Sequence, residues 1–281
     1  TCSNWFQSAG AIFTLPIGAT IQCTGTLTIT SGSFTVNGGT ITSNPAITQT
    51  AGTVTISTSV TTSNTYTFTA GTLSLGANLS VGIFSSANSN TRSIAFSTNS
   101  ILLTTTVPTT TALDISTATN FSYTGTGGFS AANDVVRNFA VGTTIGGSST
   151  NAVNLTFTGT GTAGPTFTSA GHFKNLDFGP GTATGSFNNA VTVALNIYGN
   201  LTLNNATNYS TLNATILGTS TITASSVVNN QLGTTVINAS GLTVTLGYTL
   251  TMYTPSTLTL TAGTLNLNGF DLSVGIFNSN N

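Results

Sequence analysis

The chain has 281 residues, 38% hydrophobic and only 2% charged, and Arg92, Arg137 and Lys174 set against Asp114, Asp134, Asp177 and Asp271 leave a net charge of −1. Three scattered cations cannot neutralise a run of phosphates or hold an anionic bilayer, which excludes nucleic acid as a partner and electrostatic attachment to lipid. No stretch approaches the ~18 apolar residues of a membrane helix, so the chain is not expected to span a membrane, and recurring Val, Ile, Leu and 16 Phe mark a folding sequence.

Residues 1–24 hold the only tryptophan, Trp5, beside Phe6, and read as an N-terminal cap or docking segment. Cys2 and Cys23 are the only cysteines. An even pair predicts a disulfide that pins this segment, in an oxidising and therefore extracellular compartment; two free buried thiols are the alternative. From Gly25 a short period sets in: Gly25-Thr-Leu-Thr-Ile, Gly32-Ser-Phe-Thr-Val and Gly39-Thr-Ile-Thr-Ser start seven residues apart, and Gly52-Thr-Val-Thr-Ile continues the pattern. Each unit is a turn residue followed by alternating polar and apolar positions, the signature of a half-buried strand. Strands of about five residues with one- or two-residue corners suit a β-solenoid of roughly 20 residues per coil, whereas a β-sandwich would place turns every ~8–12 residues.

Residues 25–96 form the first repeat region and residues 97–198 an irregular β middle. In that middle, Phe121-Ser-Tyr-Thr-Gly is a strand running into glycine, and His172-Phe-Lys-Asn-Leu-Asp-Phe178 alternates cleanly, with Phe173 and Asn175 on one face and Lys174, Leu176 and Phe178 on the other. The short period returns over residues 199–281, from Gly199-Asn-Leu-Thr-Leu onward. A longer repeat overlies it. Ala70-Gly-Thr-Leu-Ser-Leu…Leu79-Ser-Val-Gly-Ile-Phe84 and Ala262-Gly-Thr-Leu-Asn-Leu…Leu272-Ser-Val-Gly-Ile-Phe277 match almost letter for letter, with one inserted residue in the second. The second copy reaches Asn281 where the first reaches Asn88, so the expectation is either a window on a longer array or a unit ending in a partial repeat. The fold expected is all-β, a parallel β-helix-like solenoid with an irregular middle, and β-sandwich repeats as the runner-up.

Candidate chemistry is sparse. Gly159-Thr-Gly161-Thr-Ala-Gly164 matches a dinucleotide-binding spacing, but Pro165-Thr-Phe-Thr follows where that motif needs a helix. His172 and Asp177 lack a nucleophile elbow, and two Cys and one His at no ligand spacing offer zinc nothing. The chain is therefore expected to be no enzyme and to hold no cofactor or metal. Thr-x-Thr pairs such as Thr53/Thr55 and Thr65/Thr67 would give an outward methyl-and-hydroxyl face, similar in that respect to ice-binding solenoids, although Thr is also simply a good strand former.

With its Gly-Thr-Leu-Thr-Leu units, its long repeat, and Ser89-Asn-Thr-Arg-Ser-Ile-Ala-Phe96, the sequence resembles Thr/Ser/Asn-rich β-repeat arrays of bacterial surface proteins and phage tail or virion fibres. The resemblance implies an extracellular, non-enzymatic role and transfers no catalytic residue. The leading expectation is a structural protein whose β units stack end to end into a filament, with copies of itself as partners and Trp5, Phe6, Ile276 and Phe277 as docking residues. A glycan- or receptor-binding module using Tyr123 and Phe173, and an ice-binding surface, are the alternatives.

Overall fold

A computed structural model of the protein describes residues 1–117, 119–132, 136–142, 152–158, 165–179, 188–189, 194–203, 212–224 and 231–279. It is an all-β parallel β-solenoid, with no helix among the described residues. The chain divides into two compact units, Thr1–Thr106 with Thr111–Ser130, and Val107–Thr110 with Ala131–Asn281.

Within the first unit the Gly-led pentapeptides become rungs. Trp5–Gln7, Thr26–Ile29, Ala46–Gln49, Thr65–Phe68, Ile83–Ser85 and Thr111–Ile115 form one parallel ladder. Ile12–Leu15, Ser33–Val36, Thr53–Ile56, Gly71–Leu75, Arg92–Ala95 and Phe121–Thr124 form a second, and shorter strands make the third face. Register partners such as Thr26 and Ala46, or Ser33 and Thr53, lie 20 residues apart, close to the coil length expected from three units of about seven residues. Because the side-chain period of a strand is two, each rung sends its apolar residues inward and its Thr and Ser outward. Stacking rungs in register then turns each apolar position into a column, such as Leu27, Ile47, Tyr66 and Phe84.

The glycines at the strand starts are required by the stacking. Gly32, Gly52 and Gly71 have φ of +86°, +73° and +95°. A Cβ on any of them would lie 2.1–2.4 Å from a carbonyl oxygen of the rung beneath.

The irregular stretch keeps the ladders and lengthens the loops. Phe84 pairs with Leu113, and Arg92 with Phe121, 29 residues on in each case. Arg92 closes these larger corners from inside. Its fully buried guanidinium donates through Nη1 to Asn88 Oδ1 (3.0 Å) and Asn90 O, and through Nη2 to Ser86 O (3.1 Å) and Thr117 O (2.9 Å), while lying 5.4 Å from the Phe121 ring.

In the second unit the longest strands are Thr235–Leu246 and Thr257–Asn266, and Ile276–Ser279 pairs with the latter. His172–Asp177 departs from the alternation expected of it. The register with Val153–Thr158 slips between Val153 and Asn154, so that Phe173 and Asn175 become successive partners and Lys174 is extruded. The bulge resets the parity, and Phe173, Leu176 and Phe178 all point inward. Carboxamides cap successive rungs beside it: Asn175 Nδ2 donates to Asn154 Oδ1 (3.0 Å), Asn200 N to Asn175 Oδ1 (2.8 Å), and Thr221 N to Asn200 Oδ1 (3.0 Å). The glycine motif at 159–164 and Asp134 lie outside the described residues.

Candidate functional surfaces

The expected ligand contacts are interior residues. Tyr123 stands in the inward column Phe13, Phe34, Val54, Leu73, Ile94 and Tyr123, edge-on to Phe96 at 5.8 Å, and burial raises its pKa. Phe173 is fully buried against Phe167 at 5.5 Å. Neither presents a ring to a glycan or receptor. Both are core because each sits on the inward parity of its rung, Tyr123 together with Phe121, and Phe173 ahead of a bulge.

The expected disulfide is not formed: Cys2 and Cys23 are free thiols. Their spacing is one coil, so they occupy the same corner on successive rungs and form a parallel bridge. Cβ vectors of such register partners run side by side at the rung spacing of about 4.8 Å, rather than converging to the ~3.8 Å a disulfide needs. The thiols bond carbonyls instead, Cys2 Sγ to Gln22 O at 3.5 Å and Cys23 Sγ to Ser3 O at 3.4 Å. Burial, together with the hydrogen bond to Cys23, raises the Cys2 pKa.

The expected docking residues divide. Trp5 points inward, 5.1 Å from Phe13 and 5.5 Å from Phe34, and serves as a lid on the first coil. Phe6, the next residue, faces out and is 71% exposed. Trp5–Gln7, Ile12–Leu15 and Thr20–Gln22 each pair on one side only among the described residues. In the second unit Ile276–Ser279 and Leu272–Ser273 are likewise paired on one side, and Ile276 and Phe277 are about half exposed.

The second ladder of the first unit carries an ordered polar face. Its outward positions form two columns, one of Ile12, Ser33, Thr53, Thr72, Ser93 and Ser122, the other of Thr14, Thr35, Thr55, Ser74, Ala95 and Thr124. All but Ile12 and Ala95 are Ser or Thr. Hydroxyls meet between rungs, as at Thr72 and Ser93 (3.1 Å). Rungs repeat at about 4.8 Å and alternate residues at about 6.7 Å along the strand, so the face is a near-rectangular net of hydroxyls.

One polar cluster was not foreseen. His172 Nδ1 lies 3.1 Å from Tyr198 Oη, the two rings stack at 5.7 Å, and Asn196 Nδ2 approaches His172 Nε2 at 3.5 Å. Burial lowers the His172 pKa and raises that of Tyr198. The pairing needs coils in register, so residues 172 and 198 gave no joint signal in sequence. Among the described residues no three His, Cys, Asp or Glu side chains gather as a metal site would require. No family model matches the chain, and neither a curated protein nor a solved structure matches it.

Proposed function

We propose that this chain is a non-enzymatic structural protein whose β-coils stack onto those of further copies to build an extracellular filament. The observation that carries the reading is the set of ladder edges that pair on one side only among the described residues, Trp5–Gln7 with its two neighbouring faces in the first unit and Ile276–Ser279 with Leu272–Ser273 in the second. An open edge is a row of unpaired N–H and C=O groups, ready to template another strand. Strands of a second copy, running in the same direction, can continue such a ladder with the same slanted hydrogen bonds. A contact of this kind joins two different surfaces and therefore propagates instead of closing into a dimer. Net charge of −1 adds little repulsion. Sedimentation and negative-stain microscopy over a concentration series test the reading: filaments with an axial repeat support it, and a monomer at every concentration refutes it.

A second reading is favoured by the two Ser/Thr columns, which form a charge-free hydroxyl-and-methyl net suited to an ordered water lattice. We infer that, as an ice-binding face, it would produce thermal hysteresis abolished by Thr55→Tyr, at the centre of the net. Hysteresis absent from the unaltered chain, or unchanged by that substitution, discards it.

A further inference from the structure

We propose that Cys2 and Cys23 form a two-coordinate site for a soft monovalent metal ion, Cu(I) being the biological case, held between two thiolates on successive rungs. The site is independent of filament stacking and draws on the register of the first coil alone.

The two cysteines stand one coil apart in the chain and are direct partners in the ladder. Backbone hydrogen bonds fix that partnership: Cys2 N donates to Gln22 O (3.0 Å), Thr24 N to Cys2 O (3.1 Å) and Gly25 N to Ser3 O (2.6 Å). Gly25 lets the rungs approach, since a Cβ there would lie 2.4 Å from Ser3 O. Register partners on parallel strands send their side chains to the same side. The sulfurs do so. Cys2 Sγ lies 3.5 Å from Gln22 O, the carbonyl just before Cys23, and Cys23 Sγ lies 3.4 Å from Ser3 O, the carbonyl just after Cys2. Each thiol thus leans on the backbone of the other's rung, and the two share the space between them.

Spacing determines what such a pair can hold. A disulfide needs Cβ atoms ~3.8 Å apart, about 1 Å closer than the ~4.8 Å between rungs, and closing it would pull against the backbone bonds just named. Two metal–thiolate bonds of about 2.3 Å, laid end to end through one ion, span about 4.6 Å, close to the rung spacing. Thiolate is a soft donor that selects Cu(I), whereas structural zinc takes four ligands. Among the described residues no three His, Cys, Asp or Glu side chains gather, so only an ion satisfied by two protein ligands finds its full set here. On binding, each thiol gives its proton to solvent and two metal–sulfur bonds form; the ion stays monovalent and no electron moves. Gln22 O and Ser3 O lose their S–H contacts but keep their backbone donors, Cys2 N and Gly25 N, so no carbonyl of the pair is orphaned.

The full chain, reduced and kept free of oxygen, is titrated against Cu(I) held by bathocuproine disulfonate, whose colour fades as the ion transfers. One ion per chain is expected, with two sulfur neighbours by X-ray absorption, and transfer is lost in Cys2→Ser and in Cys23→Ser. Cys23 is fully buried and Cys2 less so, so Cys2→Ser carries the test if circular dichroism shows Cys23→Ser unfolded. Ag(I), a second soft ion of the same charge, is expected to raise the thermal midpoint of the unaltered chain and of neither variant, because it binds the folded pair. No transfer, transfer undiminished by Cys2→Ser, or one ion shared by two chains overturns the site. So does loss of both thiols to an intramolecular disulfide under mild oxidation, which would show that the two side chains converge after all.

Discussion

Replacing Phe84 with alanine, and separately Phe277 with alanine, compares the same residue in the same local sequence under two degrees of cover. Phe84 is fully buried, with Tyr66 stacked at 5.7 Å, Phe68 at 6.3 Å and Phe129 at 5.3 Å, so truncation opens a cavity that three rings cannot collapse into. Losses for such substitutions are about 3–5 kcal/mol. Phe277 retains about half its exposure in the folded chain and borders no closed cavity, so only about half of the ~1.5–3 kcal/mol for burying a large apolar side chain is lost, or roughly 1 kcal/mol. Urea denaturation of dilute protein, followed by circular dichroism, reads the difference. Hydrogen exchange should show the Phe277→Ala loss confined to the last coil, because solenoid rungs depend chiefly on their nearest neighbours. Equal losses for the two variants in dilute solution would refute the claim that coverage, and not local sequence, sets the energy of this repeat.

Five further outcomes can be checked on purified protein. Gly52→Ala should cost roughly 3–4 kcal/mol in a denaturant melt, because a Cβ there would lie 2.4 Å from Gly32 O. Gly10→Ala, with the same positive φ but open space around it, should cost only the roughly 1–2 kcal/mol of the left-handed conformation. Arg92→Ala leaves Asn90 O and Thr117 O without their Arg92 donor, and Ser86 O with the Asn88 amide only, and should cost about 3 kcal/mol or more, with faster hydrogen exchange across 86–91 and 116–117. Tyr123→Phe removes a buried hydroxyl that has no partner among the described residues, so stability should be unchanged or rise by about 1 kcal/mol; a loss beyond that would show an unseen hydrogen bond. Burial lowers the His172 pKa, so between its folded-state value and the usual value near 6.5 the unfolded chain binds more protons. Stability should therefore fall as pH drops through about 6.5 and level off below the folded-state pKa, a slope that His172→Gln removes.

Much of the architecture was legible because its causes are local. A glycine every seven residues followed by Thr-Leu-Thr-Ile specifies a corner and a short half-buried strand, and three such units specify a 20-residue coil. Reading His172–Phe178 by simple alternation failed at Lys174, since a bulge belongs to the pairing with Val153–Thr158 and not to the strand itself. The even pair of cysteines predicts a disulfide, but their separation is the coil period, which places two free thiols at the same corner of successive rungs. Tyr123 and Phe173, expected as ligand contacts, are core because other rungs pack against their strands, which neither strand's own residues specify.

The amino-acid order by itself determined the strands, the corners and, wherever no bulge intervenes, which residues alternate toward the interior, all consequences of backbone geometry within a few residues. Tertiary structure alone decided which of those inward residues are covered. Phe84 and Phe277 share their neighbours in sequence, and the rung stacked on Phe84 by residues well downstream makes it core, whereas no rung covers Phe277 among the described residues.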